Sequence, residues 1–122
     1  MSKKATVDNL LKIGLDNVSE RHGTIEVLGL EFEYDKMPIM AILDILDEYD
    51  DSTKGQLEMA LEVTYMTIPV FRDKKLQEQF KVVEPHDVIL KVLGDNLTAV
   101  TELGKAVMNL YNMSDAIEDT KK

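Results

Sequence analysis

The 122-residue chain has no cysteine and no tryptophan, and only three prolines and six glycines. Without cysteine there is no disulfide framework, no thiolate metal site and no cysteine nucleophile. The glycines are scattered singly, so no glycine-rich loop cradles a phosphate. Unbroken apolar runs stay far short of the ~20 residues that a membrane-spanning helix needs, which predicts no membrane association. The basic start Met1-Ser2-Lys3-Lys4 is followed by Val7 to Leu15 interrupted by Asp8, Asn9 and Lys12. That pattern argues against an export signal and for a cytoplasmic protein.

Basic residues are also in short supply. Fourteen Lys and Arg stand against 23 Asp and Glu, a net charge of -9. Nucleic acid is thereby disfavoured as a partner, because affinity for a polyanion comes mainly from neutralising phosphates with Lys and Arg. The basic pairs Lys74-Lys75 and Lys121-Lys122 sit near acidic residues and form no patch.

What is present is the material of one ordinary domain, a length sufficient to bury about two-thirds of the unfolded surface. Residues 1–113 read as a single globular domain. From Ser114 to Lys122 the chain turns polar, with only Ala116 and Ile117 apolar, and is expected to fray.

Val7 to Ser19 carries Val7, Leu10, Leu11, Leu15 and Val18 on one helical stripe, with Thr6 placed to cap it and Gly14 weakening it. At Gly23 the period changes to two. Ile25 and Val27 flank Glu26, and Leu30, Phe32 and Tyr34 alternate with Glu31 and Glu33, the pattern of a hairpin turning near Leu28-Gly29. A lone hairpin is marginal in water, so its apolar face should lie on the helices.

Pro38 suits the first position of a second helix that presents Ile39, Ile42, Leu43 and Leu46 and runs to about Asp50. A third starts at Ser52 or Thr53, with Thr53-Lys54-Gly55-Gln56 matching a capping box, and Pro69 ends it near Thr67. Asp73 can cap a short helix bearing Leu76 and Phe80. Glu84-Pro85 opens another, with Val88, Ile89, Val92 and Leu93 inward and Gly94 as its stop. Asp95 is placed to cap a last helix, Asn96 to Asn112, whose wide apolar arc holds Leu97, Val100, Leu103, Gly104, Val107, Met108, Leu110 and Tyr111. The fold class expected is mainly α (α+β), one N-terminal β-hairpin packed on about five or six helices.

The third helix differs from the rest. Leu57, Leu61, Thr64 and Ile68 form one apolar face, while Met59, Val63 and Met66 form a second on nearly the opposite side. Two readings follow. The helix is central and packed on both faces, or its methionine face, together with Met40 on the second helix, lines an exposed groove. Flexible thioethers suit a surface that accepts varied apolar sequences. On that second reading the partner-binding residues are Met40, Met59, Val63 and Met66.

Reactive chemistry is sparse. Asp47 to Glu58 has the length of a calcium loop, but Tyr49 occupies the third ligand position and Ser52 replaces the turn glycine. His22 and His86 lack a second histidine at helical spacing. His86 reads as part of a helix N-terminal turn beside Asp87. No serine lies in a nucleophile elbow. The expectation is therefore no catalytic residue, no metal, no cofactor and no enzyme, with function carried by a partner.

The hairpin from Ile25 to Tyr34, then KMPIMAILDILDEYD, then YMTIPVFRDKKLQEQFKVVEPHDVILKVL and LTAVTELGKAVMNLY, follow one another in an order, length and residue character that covers most of the chain. Its most distinctive pieces are Ile68-Pro69 followed by Lys75-Leu76-Gln77, and Glu84-Pro85-His86-Asp87 opening a helix. In this the chain resembles the XkdN-like family, the tail assembly chaperones of PBSX-like prophages and related tailed phages. The resemblance implies a non-enzymatic protein in the cytoplasm of a bacterial host that binds the tape measure protein and keeps it soluble until the tail tube assembles around it. It also implies a longer frameshifted form of the chain as a second partner, and a homo-oligomer is compatible with it. A different class, a structural tail or baseplate component of the virion, stands as the alternative.

Overall fold

A computed structural model describes residues 4–113; the polar C-terminal segment 114–122 lies outside the described residues. Among the described residues, six α-helices and one two-stranded antiparallel sheet follow in the order α1 (Val7–Ser19), β1 (His22–Val27), β2 (Leu30–Asp35), α2 (Ile39–Glu48), α3 (Thr53–Thr67), α4 (Lys74–Phe80), α5 (Val88–Val92) and α6 (Leu97–Leu110). Short 3-10 turns occupy Pro69–Arg72 and Pro85–Asp87. The architecture is the small α+β domain expected from periodicity.

The hairpin forms where the period changes. Ile25 pairs with Phe32 and Val27 with Leu30, and the two connecting residues, Leu28 at φ 58° and Gly29 at φ 72°, both adopt the left-handed region. A two-residue turn of this hand matches the twist of the strands it joins. Val27 and Phe32 bury against the helices, where the Phe32 ring stacks on Phe71 with centroids 5.8 Å apart.

Helix α3 is the centre of the molecule. It packs between α2 and α6 and is flanked by the turn at Pro85–Asp87. Leu61, Thr64 and Ile68 are buried on one face, Met59 and Val63 on the other, and Ala60 and Thr67 between them. The side chain of Ser52 caps it by accepting from the Gly55 N–H at 2.9 Å, and Asp50 in turn accepts from the Ser52 amide and hydroxyl. These bonds hold the Asp50 carboxyl below its ordinary range. The tempting acidic loop thus serves the start of a helix. At the other end the Arg72 guanidinium donates to the carbonyls of Tyr65 (2.7 Å) and Met66 (2.8 Å), satisfying acceptors that a helix end leaves bare.

Several boundaries differ from the sequence reading. Ser52, not Thr53, caps α3, and Asn96, not Asp95, caps α6 by accepting from the Ala99 N–H at 3.1 Å. Asp95 follows Gly94 in the left-handed region at φ 56° and so cannot take the extended backbone of a cap. Pro38 stands at the N-cap of α2 and that helix stops at Glu48. The inward face of α2 is rotated from the expected stripe. Ile42 and Ile45 are buried with Leu46 packed beside them, while Ile39 and Leu43 face outward. Val92 and Leu97, expected inward, are exposed as well.

Candidate functional site

The Met-lined groove is not at the surface. Met59 is 6 % exposed and Val63 is 0 % exposed; Met66 is half-buried against the core. Helix α3 is covered on both sides, so its second apolar face is core, and of the four candidate partner residues only Met40 projects outward. This corrects the groove reading. The physical reason is that α3 packs against both α6 and α2, so each of its two apolar faces has an element to cover it.

A continuous uncovered apolar surface lies on α1. No residue of α1 is buried, and none of its side chains packs against the core. The predicted stripe forms as written and, among the described residues, is covered by no other element. Val7, Leu10, Leu11, Leu15 and Val18 are 74, 56, 59, 70 and 60 % exposed. A shallow notch opens in the middle of the stripe at Gly14, where a Cβ would meet nothing within 4 Å.

Local bonds make α1 a helix and fix where it leaves the body. Thr6 caps it by accepting from the Asn9 N–H at 3.2 Å. At its foot, Arg21 and Lys36 are joined twice. The Lys36 amide donates to the Arg21 carbonyl at 2.8 Å, and the Arg21 guanidinium donates to the Lys36 carbonyl at 3.2 Å. Lys36 extends over the Tyr111 ring, 5.8 Å from its centroid. The Tyr111 hydroxyl accepts from the Met37 N–H at 2.9 Å and bonds Thr67 Oγ1 at 2.7 Å. A chain of contacts therefore runs from the buried end of α3 to the base of α1. Above it, Val18, Pro38, Ile39 and Leu110 line one shallow groove, which carries the α1 stripe onto the edge of α2. Ile39, Met40 and Leu43 extend that edge, at 49, 67 and 38 % exposed.

No family model, curated protein or solved structure matches the chain.

The titratable groups with raised values sit elsewhere, at the contact of α2 with α3. Loss of hydration pushes the Glu62 carboxyl up, reinforced by Glu48, with His86 pulling the other way. Burial, then the charges of Glu62, Glu48 and Glu58, push the Tyr49 phenol up to about 12. One Glu62 carboxylate oxygen is buried with no hydrogen-bond partner. Repelling carboxylates around a phenol held neutral supply neither a nucleophile nor a base in register with one. Among the described residues no group of three or more His, Asp or Glu is arranged to hold a metal ion. Likewise, no described helix is long and apolar enough to cross a membrane.

The surface of α1 was half visible in the sequence. Periodicity gives its apolar face, and Gly14 within that face hints at a poorly packed position, but nothing local says whether another element covers it.

Proposed function

We propose that the protein is a non-enzymatic tail assembly chaperone of a phage or prophage, which holds the tape measure protein in soluble form in the cytoplasm of its host. The observation that carries this reading is the uncovered stripe of α1. An amphipathic helix left uncovered by the other described residues is a surface for another helix, which would lay its own apolar stripe along Val7, Leu10, Leu11, Leu15 and Val18. A tape measure protein, being a long helical polypeptide with apolar stripes, is the kind of client such a surface fits. The rest of the molecule suits the task. A packed body with net charge -9 keeps a complex dispersed by self-repulsion while α1 supplies the apolar contact. The resemblance of the chain to the XkdN-like family supplies the identity of the client.

Co-expression with the long downstream reading frame tests this directly. The client should move from the pellet to the supernatant with the natural chain and return to the pellet with Leu10→Asp/Leu15→Asp, a variant that leaves the core untouched. A client no more soluble with the chain than without it refutes the reading. Mass spectrometry of purified particles addresses the structural alternative: a chaperone is absent, a virion component is present in fixed copy number.

A further inference from the structure

The α1 stripe has an internal symmetry. Read from either end it begins Val then Leu, and Leu11 on one side of the midpoint between Lys12 and Ile13 stands where Gly14 stands on the other. When two α1 helices lie antiparallel, face to face, Val7 comes level with Val18 and Leu10 with Leu15. Leu11 comes level with Gly14. The bare notch at Gly14, where nothing lies within 4 Å of a built Cβ, then sits beside Leu10 and Leu11 of the second copy. Large side chains meet a hole, and the hole is supplied twice by the twofold axis.

The polar positions obey the same symmetry. Asp8 comes level with Asn17, and Asn9 with Asp16, so no level sets one carboxylate against another. This is the condition for an isologous contact, in which one patch must complement itself under a twofold rotation. Parallel pairing fails it, because Asp8 would lie level with Asp8, Asp16 with Asp16 and the two Gly14 notches would coincide.

A second observation says that the face requires a cover. Helix α1 has 13 residues, a glycine in its middle and no buried side chain. A helix of that length is marginal in water without tertiary contact. Docking supplies the contact that the body does not.

We propose that a second copy of this chain covers α1 when no client is bound, through an antiparallel α1–α1 pair centred between Lys12 and Ile13, and that a client helix displaces it. The proposal rests on the reading of this stripe as a docking face. The contact is small, at the low end of specific interfaces, so the pair exchanges readily. That is what a chaperone needs if the same stripe is to be released to a client.

Analytical ultracentrifugation of the full chain from about 1 to about 300 µM measures the pairing. The expected result is a reversible shift toward twice the 13.8 kDa chain mass, abolished by Leu11→Asp with an unchanged core melting transition. Because the chain has no cysteine, introduced thiols report the direction. A mixture of Val7→Cys and Val18→Cys chains should cross-link under mild oxidation, and Val7→Cys alone should not. In the antiparallel pair two Val7 positions lie about 16 Å apart along the axis, beyond the reach of a disulfide. A chain that stays monomeric throughout, or Val7→Cys alone cross-linking as well as the mixture, overturns the proposal. A monomer that still solubilises the client overturns self-pairing alone and leaves the docking face standing. A dimer that has no effect on the client supports the pair and removes the chaperone reading.

Discussion

Tyr111 is the residue through which the core reaches the base of α1, and removing its hydroxyl measures that connection. Tyr111→Phe keeps the ring, which is 9 % exposed, and keeps Lys36 above it. It deletes two hydrogen bonds. Thr67 Oγ1, on a residue that is 0 % exposed, loses its partner, and the Met37 N–H loses its acceptor in a part-buried loop. A buried polar group left unpaired costs about 1–3 kcal/mol. The Thr67 hydroxyl can recover part of this by turning to a carbonyl of its own helix, and water can reach the Met37 amide. The sum is about 2 kcal/mol of unfolding free energy, or roughly 8 °C in Tm for a domain of this size. Urea denaturation read by far-UV circular dichroism gives the first number. Hydrogen exchange should show the Met37 amide losing protection beyond the global change. Thr67→Val closes a double-mutant cycle, and about 1 kcal/mol of coupling is expected between the two side chains. A Phe variant within about 0.5 kcal/mol of the natural chain and an additive double variant would refute the account, because no buried bond between α3 and α6 would then be at stake.

Two further predictions separate core from surface and test the contact of α2 with α3. Val63→Asp sets a carboxylate at a fully buried position and should unfold the domain, a loss of more than about 4 kcal/mol, whereas Met40→Asp on the exposed edge of α2 should change stability by no more than about 0.5 kcal/mol, both read by thermal melting; a stable Val63→Asp chain would contradict the central place of α3. Glu62 has its folded value raised by lost hydration and by Glu48, so its contribution is fully present below the ordinary carboxylate range and is lost as pH rises through the raised value. Glu62→Gln should therefore stabilise the domain at neutral pH and show a smaller advantage at about pH 3, below the ordinary carboxyl value of 4.5, where Glu62 is largely protonated in both states. An advantage independent of pH would mean that charge at this position is not the cause.

How much of this was legible in the sequence depended on whether the deciding contact was local. The turn at Leu28-Gly29, the Thr6 cap and the two apolar faces of α3 were all readable, because each is set within one or two turns of chain. Where two cap-forming residues adjoin, as at Ser52-Thr53 and Asp95-Asn96, the side-chain preference is nearly equal and backbone geometry chooses. Helix α2 carries Ile39, Ile42, Leu43, Ile45 and Leu46 around more than half of its circumference, so the inward direction is set by where α3 lies. Whether the α1 stripe would be covered was the least accessible of all. A stripe that packs and a stripe that waits for a partner have the same periodicity.

Helix α1 contributes no side chain to the core, and this separates two kinds of selection on one short chain. Substitutions between Val27 and Tyr111 are filtered by whether the body still folds. Those between Val7 and Val18 escape that filter and are judged only by what they touch outside. If the stripe is the docking face proposed above, it can drift in step with a changing client while the body stays as it is, and grafting one chain's α1 onto another's body should transfer recognition without disturbing the fold.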